Sequence, residues 1–209
     1  MAKDKARYFT FLLYPESIPE DWETKLELLG VPMAISPIHD KDLSEMENQK
    51  YKKAHYHVIY VAKNPVTSES VRLKIKRALG DNSVAMVKIV VHSMENMYLY
   101  LTHESKDAIA KNKVKYSKKD IKLINNFDIE RYVTNDVCDM IDDYDLANMR
   151  ELRRFVKENG AEHNLPSMKI INSVLRSHTG LIRLYFDAVY QERKYGRTDI
   201  DTETGEIKQ

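Results

Sequence analysis

The sequence predicts an α+β protein: an antiparallel split β-α-β sheet with helices, followed by a small all-α region. Three observations carry this. Strand-like and helix-like segments alternate as β-α-β-β-α-β-α through the first part of the chain. The composition then turns acidic near Thr134, and beyond that only helical periodicity remains. Between them, Ala54-His55-Tyr56-His57-Val58-Ile59-Tyr60-Val61 alternates and is rich in β-branched and aromatic residues, the pattern of a half-buried strand.

Taken in order, Arg7 to Leu13 reads as the first strand. Pro19 to Leu29 reads as a helix, with Trp22, Leu26 and Leu29 at helical spacing and Gly30 as its stop. Pro32 to Ile38 is a second strand ending at His39, and Asp40 to Lys53 is a polar, charged loop. The His55 strand follows and closes at Lys63-Asn64-Pro65. Thr67 or Ser68 caps the next helix, whose Val71, Ile75 and Leu79 face inward and which ends at Gly80. Val84 to Val91 is a fourth strand, Ser93 opens a helix running to about His103, and Val114-Lys115-Tyr116 is a candidate edge strand. The helices are expected on one face of the sheet. Residues 1–131 form the first domain, and 132–145 an acidic hinge. Residues 146–198 form a helical domain, with helices at Leu146–Glu158, Ser167–His178 and Leu181–Tyr195. The polar tail 199–209 is expected to be disordered. Three short helices bury little alone, so self-association is expected of them.

Composition narrows the class. The chain has 209 residues, 43% hydrophobic and 31% charged, as ordinary globular proteins do. A single cysteine, Cys138, excludes an intrachain disulfide and a multi-thiolate zinc site, and suits a reducing cytoplasm. The start of the chain has no apolar signal core, and no run approaches the ~20 apolar residues of a membrane helix. Net charge is +1, but unevenly spread: residues 1–131 carry 22 Lys and Arg against 18 Asp and Glu, and the remainder 11 against 14. A mildly basic first part suits an anion-binding module.

On a strand, His55 and His57 share one face. Two imidazoles so placed can bind one metal ion, although on the spacing alone a half-exposed polar face is the commoner explanation. His39 ends the preceding strand and Asp42 follows in the loop. If the two strands are neighbours, three imidazoles and a carboxylate meet, a donor set for Mn²⁺ or Mg²⁺, or for zinc. Further on, Met94, Met97, Tyr98 and Leu101 form one apolar helical stripe, which makes Tyr98 a core residue. Tyr100 lies about 120° round from the centre of that stripe and can turn its hydroxyl toward a polar cleft. A phenol, with pKa ~10, needs help to act as a nucleophile.

These residues carry a family resemblance. Phe9-Thr10-Phe11-Leu12-Leu13-Tyr14-Pro15, Ser36-Pro37-Ile38-His39-Asp40-Lys41-Asp42, Lys53-Ala54-His55-Tyr56-His57-Val58 and Glu95-Asn96-Met97-Tyr98-Leu99-Tyr100-Leu101-Thr102-His103 together resemble the small replication initiators of rolling-circle plasmids from Gram-positive bacteria, within the HUH endonuclease superfamily. The resemblance covers about residues 1–131 and implies an HUH/ferredoxin-like sheet. It implies that His39, Asp42, His55 and His57 bind Mn²⁺ or Mg²⁺, and that Tyr100 nicks one strand, leaving a 5′-phosphotyrosyl link and a 3′-hydroxyl. It further implies binding of the plasmid double-strand origin and its single-stranded hairpin loop, work with the host replication machinery, and a helical oligomerisation domain over 146–198 that forms a ring, expected to be hexameric. A relaxase or transposase of the same superfamily, and a non-catalytic DNA-binding repressor with a structural metal, are the competing readings.

Lys50, Lys52 and Lys53 before the His55 strand, and Arg72, Lys74, Lys76 and Arg77 on the helix after it, are candidate phosphate contacts, as is the run Lys111, Lys113, Lys115, Lys118 and Lys119. A solvated helix face accounts for any one of them as well.

Overall fold

The computed structural model describes residues 4–44, 48–90, 93–160 and 165–196, and the backbone of 199–200 and 207–208. The chain forms two compact units, residues 1–129 and 130–209.

The first unit is built on β1 (Ala6–Leu13), β2 (Met33–Ile35), β3 (Tyr56–Val66), β4 (Val87–Ile89) and β5 (Lys122–Ile124), in the order β4-β1-β3-β2-β5 with every pair antiparallel. The first four strands, interrupted by α1 (Trp22–Glu27) and α2 (Ser68–Leu79), make the split β-α-β arrangement the sequence predicts. Alternation decides the faces. Phe9, Phe11 and Leu13 of β1 and Val58 and Tyr60 of β3 point to one side, where Trp22 and Leu26 of α1 and Val71, Ile75 and Leu79 of α2 close the core. α2 starts where Thr67 accepts from the Ser70 N–H (3.2 Å) and stops at Gly80, whose φ of 104° a side chain would resist.

The other face carries His57, Ile59 and Val61. Here the structure departs from the expectation that helices lie on one side. α3 (Met94–Tyr100) brings Tyr100 against His57, which points away from the α1/α2 core. A short helix not expected from the sequence, α4 (Lys106–Ala110), follows. The edge strand also lies elsewhere: Lys122–Ile124 pairs with β2, whereas Val114-Lys115-Tyr116 is irregular. Of the strand expected over 84–91, Val87–Ile89 forms, and Val91 lies outside the described residues.

In the second unit the segment 132–145, expected as an acidic hinge, is most of a helix, α5 (Ile129–Asp143). Val133, Val137, Met140 and Ile141 recur at helical spacing and are buried, while Asp139, Asp142 and Asp143 are exposed. The acidity marks a solvated face of a helix, not a linker. α6 (Met149–Asn159), α7 (Met168–Ser177) and α8 (Thr179–Tyr195) follow, burying Leu152, Val156, Ile171, Val174, Ile182 and Val189. In the tail, Asp199–Ile200 pairs antiparallel with Ile207–Lys208, contrary to the disorder expected there, and its other residues lie outside those described.

Ile35 is fully buried between the two core helices and the sheet, whereas Leu28 is 80% exposed. Ile35→Ala is expected to cost about 2–5 kcal/mol through the lost contacts and the cavity left behind. Leu28→Ala is expected to stay within about 0.5 kcal/mol. Urea unfolding followed by tryptophan fluorescence, which reports Trp22 in the same core, checks both.

Candidate functional site

The pairing of β2 with β3 does not stop at the strand ends. The Ser36 N–H donates to the His57 carbonyl (2.9 Å) and the Ser36 hydroxyl accepts from the His57 N–H (2.9 Å). Beyond Pro37, His39 and His55 face each other as an antiparallel bridge, with N–H to carbonyl distances of 2.8 and 3.3 Å. Leu43 and Tyr51 form a further bridge, and the Lys52 N–H donates to the Asp42 carbonyl (2.6 Å). The stretch expected to be a polar loop is thus pinned along both arms, and it carries His39 and Asp42 to the His55 strand.

Three imidazoles converge there. Ring centroids lie 5.5 Å apart for His39 and His55, 4.9 Å for His39 and His57, and 4.9 Å for His55 and His57. A fourth, His103, sits 4.2 Å from His39. Backbone carbonyls select the tautomers. His39 Nε2 donates to the Leu101 carbonyl (3.0 Å), His55 Nδ1 to the Lys53 carbonyl (2.7 Å) and His103 Nδ1 to the Val114 carbonyl (2.7 Å). That leaves His39 Nδ1, His55 Nε2 and His103 Nε2 as lone pairs. His39 Nδ1, His103 Nε2 and Asp42 Oδ1 are buried without a hydrogen-bond partner, and His55 Nε2 stands 3.2 Å from His57 Nε2.

Buried acceptors turned toward one another are costly unless something positive lies between them. The residues present therefore fit a divalent cation. His39, His55 and His57 form one group whose ligand atoms lie within 4.8 Å of each other, and His39, Asp42 and His103 form another. The structure thus places Asp42 with His39 and His103 rather than with the His55–His57 pair. The carbonyls that orient the rings are the outer shell that metal-binding imidazoles ordinarily have.

Burial also favours the neutral form, the one that ligates, at His39, His57 and His103. Loss of hydration pulls His39 down to about 4, with His103 and His55 adding to it against the Leu101 carbonyl and Asp42. His57 lies well below the usual histidine value, for loss of hydration and then for its imidazole neighbours and Lys113. His103 is lowered by burial despite Val114 and Asp42.

Tyr100 closes the site. Ser93 caps α3 by accepting from the Asn96 N–H (3.2 Å), and fully buried Leu101 anchors its end while its carbonyl takes the His39 bond. The Tyr100 ring stands edge-on to His57 (5.1 Å, 83°) and His103 (5.6 Å, 73°). Lys113 Nζ donates to the Tyr100 hydroxyl (2.9 Å) and to Asp42 Oδ2 (3.3 Å). Burial would lower the Lys113 ammonium, but the Tyr100 bond and the Asp42 charge outweigh it and hold it above the ordinary lysine value. Tyr98, expected in the core, is only half-buried and stacks on Phe127 (6.0 Å, 14°). Beside Tyr100 and His57 lies a cavity of about 410 Å³ lined also by Phe11, Tyr14, Met86 and Met97.

The basic candidates divide. Lys50, Lys52 and Lys53 are exposed next to His55, with Lys53 paired to Glu16 and 5.3 Å over the Tyr14 ring. Arg72, Lys74, Lys76 and Arg77 ride on α2, across the sheet from the cluster, and Arg72 is held by Glu69 (2.8 Å). Sequence reasoning missed His103 and Tyr116, which stacks on His39 (4.4 Å, 9°), and offered Lys113 only as one of a run of candidate phosphate contacts. For His103 a signal existed, since it stands three residues after Tyr100.

Along most of its length the chain is similar to plasmid replication proteins. Residues 1–130 match the family described as "Plasmid replication protein, origin binding domain", and residues 130–195 the family described as "Replication protein RepB, C-terminal". A "Replication protein RepB" from Streptococcus agalactiae is 61% identical over 94% of this chain and 97% of its own length. A "Replication protein" from Staphylococcus aureus is 26% identical over 75% of this chain and 70% of its own length. A "Replication protein RepB" from Lactiplantibacillus plantarum is 29% identical over 76% of this chain and 65% of its own length.

The His39 shift fixes a pH dependence. Its folded value of about 4 lies below the ordinary 6.5, so between them the unfolded chain binds more protons and stability rises with pH. The metal-free protein is expected to lose on the order of 3 kcal/mol from this group as pH falls from 6.5 to about 4. His39→Gln is expected to flatten that slope, as read by thermal unfolding across the same range.

Proposed function

The chain belongs to the family of plasmid replication proteins with an origin-binding domain and a RepB-type C-terminal region, and from that membership we propose that it starts rolling-circle replication by binding its plasmid's double-strand origin and nicking one strand with Tyr100. The observation that carries the reading is the Tyr100 hydroxyl, held by Lys113 beside a buried imidazole cluster whose free lone pairs face inward.

In this reading His39, which the two ligand groups share, would hold a divalent ion, Mn²⁺ or Mg²⁺, together with His55, His57 and Asp42. Bound there, the ion supplies Lewis-acid charge to a phosphate oxygen. The chain's own residues do the rest. The sheet and α3 fix the Tyr100 oxygen on the His57 side of the cluster, so that attack needs little reorganisation. The Tyr100 oxygen displaces the 3′-oxygen of the scissile phosphodiester, leaving a 5′-phosphotyrosyl link and a 3′-hydroxyl for the host polymerase. A single-stranded hairpin loop is the DNA form whose phosphate can enter beside Tyr100. Tyr14, Met86 and Met97 offer its bases apolar and stacking surface. Lys50, Lys52 and Lys53 contact backbone phosphates near the entrance, where their exposure supports that role. The helical unit joins subunits into a ring, a hexamer in this reading. The exposure of Leu184 (68%) and Tyr195 (71%) on α8 supports self-association.

The test uses the full chain, Mn²⁺ and the supercoiled plasmid that carries its gene and origin. The parent is expected to relax the plasmid and shift as a covalent protein–DNA band on a denaturing gel. Tyr100→Phe is expected to lose both by at least about 10³-fold, and chelation of the metal to stop the parent. Nicking by Tyr100→Phe at the parental rate, or origin binding by the parent without any adduct, would overturn the reading.

A further inference from the structure

Lys113 is the one member of the basic run 111–119 that is not exposed. Its side chain is 20% accessible, against 56% for Lys118. Its position is built by the backbone. α4 ends at Ala110; just beyond it Asn112, with a φ of 47°, turns the chain back, and the Lys113 N–H closes on the Ala108 carbonyl (3.0 Å). On its far side the chain is fastened twice: the Val114 carbonyl accepts from His103 Nδ1, and the Tyr116 N–H donates to the Thr102 carbonyl (3.2 Å) while its ring stacks on His39. The lysine is therefore held on both sides against the cluster, with Nζ between the Tyr100 oxygen and Asp42 Oδ2. A lysine meant only to meet backbone phosphates gains nothing from this confinement.

We propose that Lys113 is a further catalytic residue, which stabilises negative charge on the Tyr100 oxygen in both nicking and rejoining. The inference rests on the tyrosine reading of the preceding subsection. In nicking, the bond from the Tyr100 oxygen to phosphorus forms and the bond from phosphorus to O3′ breaks. The phenolic proton goes to water, the electron pair of the broken bond stays on O3′, and O3′ takes a proton from water. In rejoining the same oxygen is the leaving group, and O3′ attacks. Lys113 keeps its three protons throughout. It donates a charge-assisted hydrogen bond to an oxygen that carries more negative charge in the transition state than in either ground state. A group acting in this way speeds both directions equally and leaves the amount of adduct at equilibrium nearly unchanged.

The experiment compares single-turnover rates of the full-length parent, Lys113→Met and Lys113→Cys, the last before and after aminoethylation, which restores an ammonium at nearly the same reach. Cys138 is buried and is not a competing target. Nicking is read on the Mn²⁺-loaded protein with the plasmid named above, and rejoining by adding to isolated adduct an oligonucleotide matching the released 3′ end. Lys113→Met is expected to slow both rates by about 10²-fold. Half-saturating DNA, and Mn²⁺ binding measured calorimetrically without DNA, are expected to move less than about threefold. Aminoethylation of Lys113→Cys is expected to recover most of the lost rate. Unchanged rates, a loss confined to DNA or Mn²⁺ affinity, slowing in one direction only, or no recovery on aminoethylation would each overturn the proposal. Tyr100→Phe in the same assay separates the two ideas. If it still forms adduct, the tyrosine reading itself falls; if it is inert and Lys113→Met is normal, only the role of Lys113 falls.

Discussion

The register between β2 and β3 is the constraint on which the rest of the first unit depends. Ile35 lies opposite Val58, Ser36 bonds to His57, and His39 bridges to His55. A slip of one residue would reverse every side chain on β3. It would send Tyr56, Val58 and Tyr60 out of the core and His55 and His57 into it. The apolar core between the sheet and α1 and α2 therefore enforces the placement of the histidines on the opposite face. Stability and site geometry are set by the same hydrogen-bond ladder.

The second constraint is electrostatic. Bringing four imidazoles together is tolerable only if they stay uncharged, and loss of hydration sees to that at His39, His57 and His103. The carbonyls of Lys53, Leu101 and Val114 each take one ring N–H, so the remaining nitrogens present lone pairs. In the protein without an ion, the lone pairs of His39 Nδ1 and His103 Nε2 and of Asp42 Oδ1 carry an unmet desolvation cost. Binding of a cation would remove it. Positive charge is otherwise supplied from one side by Lys113, which joins Asp42 to Tyr100.

Much of this was legible in the sequence because it is local. Alternation over 54–61, the spacing of Val71, Ile75 and Leu79, and the rotation of Tyr100 off the stripe of Met94 and Leu101 all follow from the periods of strand and helix. What was not legible depends on chain reversal. His103 and Lys113 reach the cluster through left-handed residues, φ 59° at His103 and 47° at Asn112, that no periodicity reports. Val114-Lys115-Tyr116 has strand-forming residues but is held by His103 and Thr102 instead of by β2, so Lys122–Ile124 takes the edge. Over 132–145 the many aspartates mask the helical spacing of the buried Val133, Val137 and Ile141, so a segment that reads as a hinge folds as a helix. Tyr98 shows the limit of a stripe argument: it lies on the apolar face yet at its margin, where Phe127 covers it from one side.

Membership of the plasmid replication proteins says what process this chain serves, and the cluster at the end of β2 says how its first domain would take part. The central claim is that the β2–β3 register prepares one cation site beside Tyr100. Anomalous diffraction at the manganese edge, from crystals of the full chain soaked in Mn²⁺, tests it most directly. The account predicts one strong peak among His39, Asp42, His55 and His57. A peak confined to surface carboxylates, or none at the cluster at saturating Mn²⁺, would contradict it.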